Sequence, residues 1–258
     1  MALSRRGCQY LGAHRWLRLS ERESLRTLSL YAVVSVAVVS LAFTGTSAQV
    51  PERETVVGAA VLPSTIPIFP LEDVVLFPDS SRPLHIFEPR YRDMVADALA
   101  GDGIIGMVLL QPGYEADYEG RPPVYEIGCA GLITDAEELP DGRYLIVLEG
   151  LVKFRVIEEH HSRSYRFAEV ESMPELIDDD LRLVLSSRRA HLAEMLSTVS
   201  RGASLFPESL SDTEFVDTLA QGLQLDPAER QMLLERENQV ERAEVLMEIL
   251  SQQLGVPL

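Results

Sequence analysis

Hydrophobic and polar positions follow different periods along the chain and divide it into four parts. A basic segment leads into an uncharged apolar run at 28–43, which is followed by a polar and then small-residue stretch. Short apolar runs separated by polar turns fill the middle of the chain, and beyond about residue 174 the apolar positions take the spacing of a helix face. The pattern predicts a leader at 1–48, a linker at 49–64, a β-rich domain at 65–173 and a helical subdomain at 174–258.

Two strands and a helix are predicted at the start of the β-rich domain. Val74–Phe77 is β-branched and aromatic and is closed by Pro78, which is typical of a strand at a sheet edge because proline cannot donate to a ladder. Leu84–Phe87 is a second extended run. Pro89 then suits the first position of a helix, where its missing N–H costs nothing, and Gly101 is a natural stop.

Further short strands follow the helix at intervals that favour a closed or nearly closed β-barrel. They are predicted at Ile104–Leu110, Val124–Thr134, Tyr144–Leu148, Val152–Val156 and Tyr165–Val170. Gly150 separates the third of these strands from the fourth and is interpreted as a break. Lys153 alternates with apolar neighbours in the fourth strand, so its side chain is predicted to face solvent.

The last third of the chain predicts a small helical bundle. Apolar residues at helical spacing give its long first helix one buried face, namely Leu181, Val184, Leu192, Met195 and Val199. Asp178–Asp180 precedes this helix and is interpreted as favourable charge at its N-terminus rather than as a calcium loop. Three later helix starts resemble capping boxes: Ser211 with Glu214, Asp226 with Glu229, and Asn238 with Glu241.

Several of these segments carry motifs in the order found in one family. The motifs are Pro67–Leu71, Val74–Pro78, Arg82–Leu84, Ile86–Arg92, Ile105–Leu110, Glu126–Cys129, Glu149-Gly150 and Phe154–Val156. Over about 65–254 the chain resembles the N-terminal, substrate-binding domain of Lon proteases, and most closely the stand-alone bacterial proteins built from that domain alone. The resemblance implies an α+β fold, in which a PUA-like β-barrel precedes a C-terminal helical bundle. It also implies recognition of polypeptide segments of unfolded or tagged clients, held by loops and by the groove between barrel and helices.

The parts that would make the chain a Lon-type enzyme are missing from the sequence. It contains no G-x-x-x-x-G-K-[ST] phosphate loop. Lys153 is its single lysine, and a Ser-Lys dyad needs a serine held against a desolvated lysine. His160 and His161 are adjacent and would point to opposite faces of an extended segment, and HExxH motifs and cysteine clusters are absent. No catalytic residue, metal site or cofactor is therefore predicted.

Tyr114 and Tyr118 are the candidate peptide-binding residues. They lie on a loop rich in glycine and proline, 111–123, and an aromatic ring with a polar tip offers a ligand a large contact area. The alternative is that this loop packs onto its own barrel. Cys129, in a predicted strand, is interpreted as a small buried side chain.

The charge balance excludes two classes of partner. The formal net charge is -17, and beyond the first 48 residues there are 17 basic and 38 acidic residues. A surface this acidic argues against binding to nucleic acid and to anionic membranes. Contact with a membrane is therefore expected only through the N-terminal segment. Solubility explains most of the acidic charge, and attraction of basic or unfolded peptides is a secondary interpretation.

The leader predicts where the protein is located. Its apolar run of 16 residues, 28–43, would span about 24 Å as a helix, short of the roughly 30 Å of a bilayer core. Small residues at 46–48 resemble a cleavage site, so the leader is interpreted as a signal peptide, with a membrane anchor as the alternative. Both place the folded part in the cell envelope, whereas a misassigned start site would leave it in the cytoplasm.

The sequence as a whole favours a non-catalytic polypeptide-binding module. Its expected partners are unfolded or client polypeptides, with a protease or a chaperone as a further partner. Two alternatives belong to other classes: a hydrolase with an unrecognised site, and a structural protein of the envelope.

Overall fold

The computed structural model describes residues 62–113, 120–160, 162–199, 206–207 and 209–255. The predicted leader, most of the linker and the two loop tyrosines lie outside these ranges. The strands are β1 (Thr65–Leu71), β2 (Ser81–Ile86), β3 (Ile104–Leu109), β4 (Ile127–Glu138), β5 (Tyr144–His160) and β6 (Arg166–Met173). The helices are α1 (Pro89–Ala100), α2 (Asp179–Val199), α3 (Asp212–Gly222), α4 (Pro227–Leu234) and α5 (Gln239–Leu254).

Strands β5, β4, β3, β1 and β6 close into a barrel, which confirms the predicted architecture. The hydrogen-bonded order is β2-β5-β4-β3-β1-β6, and an additional pairing of β5 with β6 completes the ring. β1 and β3 are parallel, and the other pairs are antiparallel. One cluster of buried apolar side chains from the ring strands consists of Ile66, Ile68, Val108, Ala130, Phe154, Ala168 and Val170. Together with the helices that follow, the barrel gives an α+β fold.

β5 is one continuous strand of 17 residues, so the predicted break at Gly150 is wrong. Its first part pairs with β2 and its last part with β6. Glycine is required at position 150 for a different reason, since a Cβ there would lie 2.0 Å from the carbonyl oxygen of Phe77. The backbone of this close approach is tied by hydrogen bonds from Gly150 N to Ser80 O at 2.8 Å and from Asp79 N to Gly150 O at 3.0 Å.

The strand predicted at Val74–Phe77 is also wrong, because these residues form a buried loop. A buried loop needs partners for its backbone polar groups, and Gln221 of α3 supplies them. The Gln221 amide donates to Val75 O at 3.1 Å, and its oxygen accepts from Phe77 N at 3.3 Å. The apolar run is therefore buried by the helical subdomain and bonded to a side chain instead of a neighbouring strand.

The open edge of β2 carries a proline where a hydrogen-bond donor would otherwise face outward. β2 is the end strand of the sheet order and pairs with β5. Just before β2, Ser80 O accepts from Gly150 N, and the alternation of backbone directions along the strand turns the backbone of the exposed Pro83 outward. Proline has no N–H, so this position cannot donate to an added strand.

The predicted helix starts are confirmed in the helical subdomain. Glu214 N donates to Ser211 Oγ at 3.2 Å, and Ser211 N donates to the Glu214 carboxylate at 2.7 Å, which completes a capping box at α3. Asp226 and Glu229 form the same reciprocal cap at α4. At α5 the side chain of Asn238 accepts hydrogen bonds from two backbone N–H groups, but the Glu241 carboxylate accepts from Glu237 N at 3.1 Å, so the predicted reciprocal box with Asn238 is wrong.

The buried face of α2 differs in part from the prediction. Leu192 and Met195 are buried as expected, together with Leu185 and Leu196. Val184 is 39% exposed, so its predicted burial is wrong. The face of α2 that packs mainly on α5 is therefore centred on the line from Leu185 to Leu196, which turns Val184 towards solvent.

Candidate functional site

Lys153 is buried at the junction of the barrel and the helices, so the prediction that it faces solvent is wrong. Its side chain is 3% exposed, and its Nζ lies 2.7 Å from Glu175 Oε1. The same nitrogen donates to the backbone carbonyl of Arg236, between α4 and α5. An outward-pointing residue of β5 is exposed to solvent only where no other element covers the outer face of the barrel. Here the connection between α4 and α5 covers that face.

Glu175 joins Lys153 to a second buried pair. The guanidinium of Arg242 is fully buried and lies 2.5 Å from Glu175 Oε1 through Nη2. Its Nη1 forms an ion pair with Asp217 Oδ1. The amide of Gln239 donates to Glu175 at 2.7 Å and to Asp217 at 3.1 Å. We call Lys153, Glu175, Asp217 and Arg242 the buried ion cluster, in which two cations balance two carboxylates.

Burial affects the ionisation of this cluster most strongly at Asp217. Burial raises the pKa of the Asp217 carboxyl to about 7, although the Arg242 guanidinium acts in the opposite direction. The cluster holds the barrel, the β6–α2 connection, α3 and α5 together. Its position shows that at least this part of the expected groove between barrel and helices is filled.

The buried ion cluster has the geometry of a structural element and lacks that of a catalytic one. A Ser-Lys dyad requires the lysine amine to face a serine hydroxyl, whereas the amine of Lys153 bonds to a carboxylate and to backbone carbonyls. Among the described residues, no group of histidine, cysteine, aspartate and glutamate side chains could hold a metal ion. Cys129 is fully buried, and burial raises the pKa of its thiol, so it is an inert part of the core, as predicted.

A shallow depression lies where the ends of β1 and β2 meet the start of α1. The rings of Phe69 and Tyr91 lie at its base with their centroids 4.5 Å apart. Glu88 on its rim forms an ion pair with Arg90 at 3.0 Å, and the Arg90 guanidinium lies 4.6 Å from the centre of the Tyr91 ring. His85, predicted to be structural, contacts Arg143 at 3.2 Å. These polar groups of the depression therefore already have partners within the chain.

The connection before α2 and the first turns of α2 expose large apolar side chains. Leu176 is 78% and Leu183 is 74% exposed, and Val184 is the third exposed member of what we call the α2 patch. The acidic run Asp178–Asp180 lies within the patch and is exposed. Asp178 also caps the helix, because its carboxylate accepts from Leu181 N at 2.8 Å. The predicted role of this run at a helix N-terminus is thus confirmed, whereas the exposed leucines were missed because leucine at helical spacing normally indicates a buried face.

The candidate peptide-binding residues Tyr114 and Tyr118 lie outside the described residues, so their role stays a prediction. The apolar run at 28–43 lies outside them as well. Within the described ranges, no helix combines the length and apolarity that crossing a membrane requires.

Comparison with known proteins gives one family. The sequence model for the substrate-binding domain of the ATP-dependent protease La (LON) matches residues 65–252. The Lon protease of Trichlorobacter lovleyi is 30% identical over 201 residues, which are 74% of this chain and 24% of that protein. The Lon protease of Dictyoglomus thermophilum is 27% identical over 76% of this chain and 25% of its own length. The chain thus spans about a quarter of the length of the curated relatives it matches.

Two solved structures share the fold. A Lon N-terminal domain protein from Xanthomonas campestris is 23% identical and superposes with a TM-score of 0.52, covering 72% of this chain and 98% of that one. The N-terminal domain of a Lon protease from the Mycobacterium avium complex is 18% identical, with a TM-score of 0.54, and covers 75% of this chain and all of that one. At these identities the likeness extends to the fold alone.

Proposed function

The chain belongs to the family of Lon substrate-binding domains, and we propose that it is a non-catalytic module that binds polypeptide segments of unfolded or client proteins. The observation that carries this proposal is the family match over 65–252, almost the whole described fold. The single lysine supports the non-catalytic part, because its amine is held in the buried ion cluster. Cleavage of a bound client would then require a separate protease.

Binding of unfolded protein by the intact chain tests this proposal. The full chain, purified in a mild detergent, would be titrated against fluorescently labelled, reduced and carboxymethylated α-lactalbumin, with native α-lactalbumin as the control. We expect saturable binding of the unfolded form, no binding of the native form, and no new fragments after prolonged incubation. Absence of binding to a broad panel of unfolded proteins and peptides would contradict the proposal. Fragment production abolished by a single Ser, His or Asp substitution would favour a hydrolase instead.

We further propose that the folded part works in the cell envelope, held there or exported by the leader. The support is the basic segment followed by the apolar run at 28–43 and small residues at 46–48. N-terminal sequencing of the native protein after cell fractionation tests this location. A mature start near Gln49 in the envelope is expected for a signal peptide, and an intact leader in the membrane for an anchor. A cytoplasmic protein with a later start would overturn the proposal.

A further inference from the structure

The α2 patch is the strongest candidate for an interaction site on the described surface. Its leucines 176 and 183 are the most exposed large apolar side chains among the described residues, whereas the others, Leu99, Ile157 and Met232, are scattered over α1, β5 and α4. Single exposed apolar residues are normal on a soluble surface, but two within one short segment indicate an interaction site.

Small, uncharged side chains continue the patch along the solvent face of α2. The core face of this helix contains Leu185 and Leu192, and Leu183 lies on the opposite side. Beyond Leu183 the exposed positions on that side include Ser186, Ser187 and Ala190, and the exposed Glu194 ends this uncharged stretch. From residue 183 to residue 190 a helix rises about 10 Å. An extended segment of about three residues could therefore lie along this uncharged stretch.

The N-terminal end of the same face is strongly acidic. Asp178–Asp180 contributes three exposed carboxylates next to the two leucines. Arg182 contacts Asp179 at 3.7 Å, and this cation together with the half charge of the helix N-terminus offsets about half of the three negative charges. The remaining negative potential favours a positively charged partner group, in keeping with the acidic character of the chain.

We propose that the α2 patch is a client-binding surface that selects polypeptide segments in which a lysine or arginine lies next to aliphatic side chains. The aliphatic groups would contact Leu176, Leu183 and Val184, and the cation would lie near Asp179 and Asp180. This inference rests on the proposed polypeptide-binding function and adds to it a location and a sequence preference.

The experiment compares three labelled 15-residue peptides on the intact chain by fluorescence anisotropy: alternating leucine and lysine, alternating leucine and glutamate, and alternating serine and lysine. The leucine–lysine peptide is expected to bind at least about tenfold more tightly than either of the others, since it alone satisfies both parts of the surface. The variant Leu176→Ser/Leu183→Ser is expected to weaken its binding by about tenfold, corresponding to roughly 1.4 kcal/mol. The variant Asp179→Asn/Asp180→Asn should weaken it about threefold at low salt and have no effect at 0.5 M salt.

Matched controls remove comparable groups elsewhere on the surface. Leu99→Ser/Ile157→Ser deletes two exposed apolar side chains, and Asp135→Asn/Glu137→Gln neutralises two exposed carboxylates on β4. Neither control should change binding of the leucine–lysine peptide. Circular dichroism melts of all four variants verify folding, which substitutions at exposed positions should preserve.

The outcomes separate this inference from the proposed function. If the chain binds unfolded α-lactalbumin but Leu176→Ser/Leu183→Ser changes neither that binding nor binding of the leucine–lysine peptide, the polypeptide-binding function stands and the location is wrong. If the chain binds no unfolded protein, the function itself fails. Sedimentation velocity tests whether a second copy of the chain occupies the patch instead. A leucine variant that changes only the oligomeric state would show that a second copy of the chain covers the patch, which overturns the inference.

Discussion

Lys153 shows how strongly one residue can depend on distant parts of the chain. Its neighbours in sequence indicate an outward-facing strand residue, but its partner Glu175 lies in the connection that leads to α2. Two paired charges taken out of water contribute little net stability, whereas removing one of them leaves the other uncompensated. The residue is therefore more sensitive to substitution than its surface-like sequence context suggests.

Replacing Lys153 with methionine should destabilise the fold by about 3 kcal/mol, because Glu175 loses one of its buried cationic partners. Urea denaturation followed by circular dichroism measures the change. Arg155→Met is the matched control, since Arg155 lies two residues further along β5 and forms an exposed pair with Glu126 at 3.4 Å. The control should cost less than about 1 kcal/mol. Equal effects of the two substitutions would contradict the structural role of the buried ion cluster.

Gly150→Ala is expected to cost more than about 2 kcal/mol, because the added methyl group would meet the backbone of Phe77 and force strands and loop apart. Thermal unfolding measures this loss. Gly222→Ala, at the end of α3, provides the comparison because a Cβ there meets nothing within 4 Å. That substitution should be neutral or slightly stabilising, since alanine restricts the unfolded chain. A Gly150→Ala variant as stable as Gly222→Ala would refute the close approach.

Asp79 gives a prediction for pH dependence. The side chain of Asp79 is exposed, but partial loss of its hydration raises the pKa of its carboxyl, and Glu214, Glu175 and Glu149 raise the pKa further against the opposing effect of Arg242. The folded state therefore holds the proton more tightly than the unfolded state, so this contribution to stability is complete below the unfolded pKa and is lost as pH rises through the folded pKa. Asp79 also has a backbone φ of 52°, a region that asparagine tolerates well.

Asp79→Asn should accordingly stabilise the protein more at pH 7 than at pH 3.5. Denaturant titrations of both proteins at these two pH values measure the difference. A decline in stability of the variant between pH 4 and 7 is still expected, because the pKa of Asp217 is also raised, to about 7. A stabilisation that is the same at both pH values would assign the effect to the backbone alone.

At the scale of helices and strands, the sequence predicts local features well and distant ones poorly. The caps at Ser211 and Asp226 involve residues three positions apart, so their signals are complete within the sequence. The loop at Val74–Phe77 has strand composition, but its hydrogen-bond partner, Gln221, lies more than a hundred positions away. Only tertiary packing determines whether the backbone of this segment bonds to a neighbouring strand or to a side chain. The exposure of the α2 patch was missed for the same reason, because exposure of Leu183 depends on which face of α2 meets α5.

The proline at the open edge of β2 also acts at this scale. Pro83→Thr would restore a donor and a β-branched side chain on the outer edge of β2, so we expect the variant to self-associate. Light scattering and thioflavin T fluorescence during mild heating measure this tendency. Arg82→Thr on the same strand serves as the control. The backbone N–H of residue 82 is directed towards β5, so this substitution adds no donor at the outer edge. A Pro83→Thr variant that remains as dispersed as the native chain would show that other features protect this edge.

At the scale of the whole molecule, the family match and the net charge are the two properties on which the proposed binding of polypeptides rests. The chain spans about a quarter of its Lon protease relatives, and the net charge of the part beyond residue 48 is -21. The architecture could be predicted from sequence, because it depends on repeated short patterns of strands and helices. The location of the α2 patch could not, because that surface is assembled by folding.

This charge predicts that basic clients associate faster than acidic ones and that the difference depends on salt. The association rate constant of an unfolded basic protein should fall by about tenfold between 0.05 M and 0.5 M salt, because screening removes long-range attraction. Stopped-flow anisotropy with the intact chain measures it. An unfolded acidic protein should show a rate that rises with salt, and identical salt dependence for the two would contradict electrostatic steering.

Because the single lysine is buried, its amine is protected from reagents and enzymes that modify amines. While the fold is intact, an N-hydroxysuccinimide ester should acylate only the α-amino group at the N-terminus. Lys153 carries the only ε-amino group in the sequence, and this group is buried. The native chain therefore accepts a single amine-directed fluorophore and presents no lysine to degradation tags that are joined through isopeptide bonds. Acylation of Lys153 becomes a direct report that the barrel and the helices have separated.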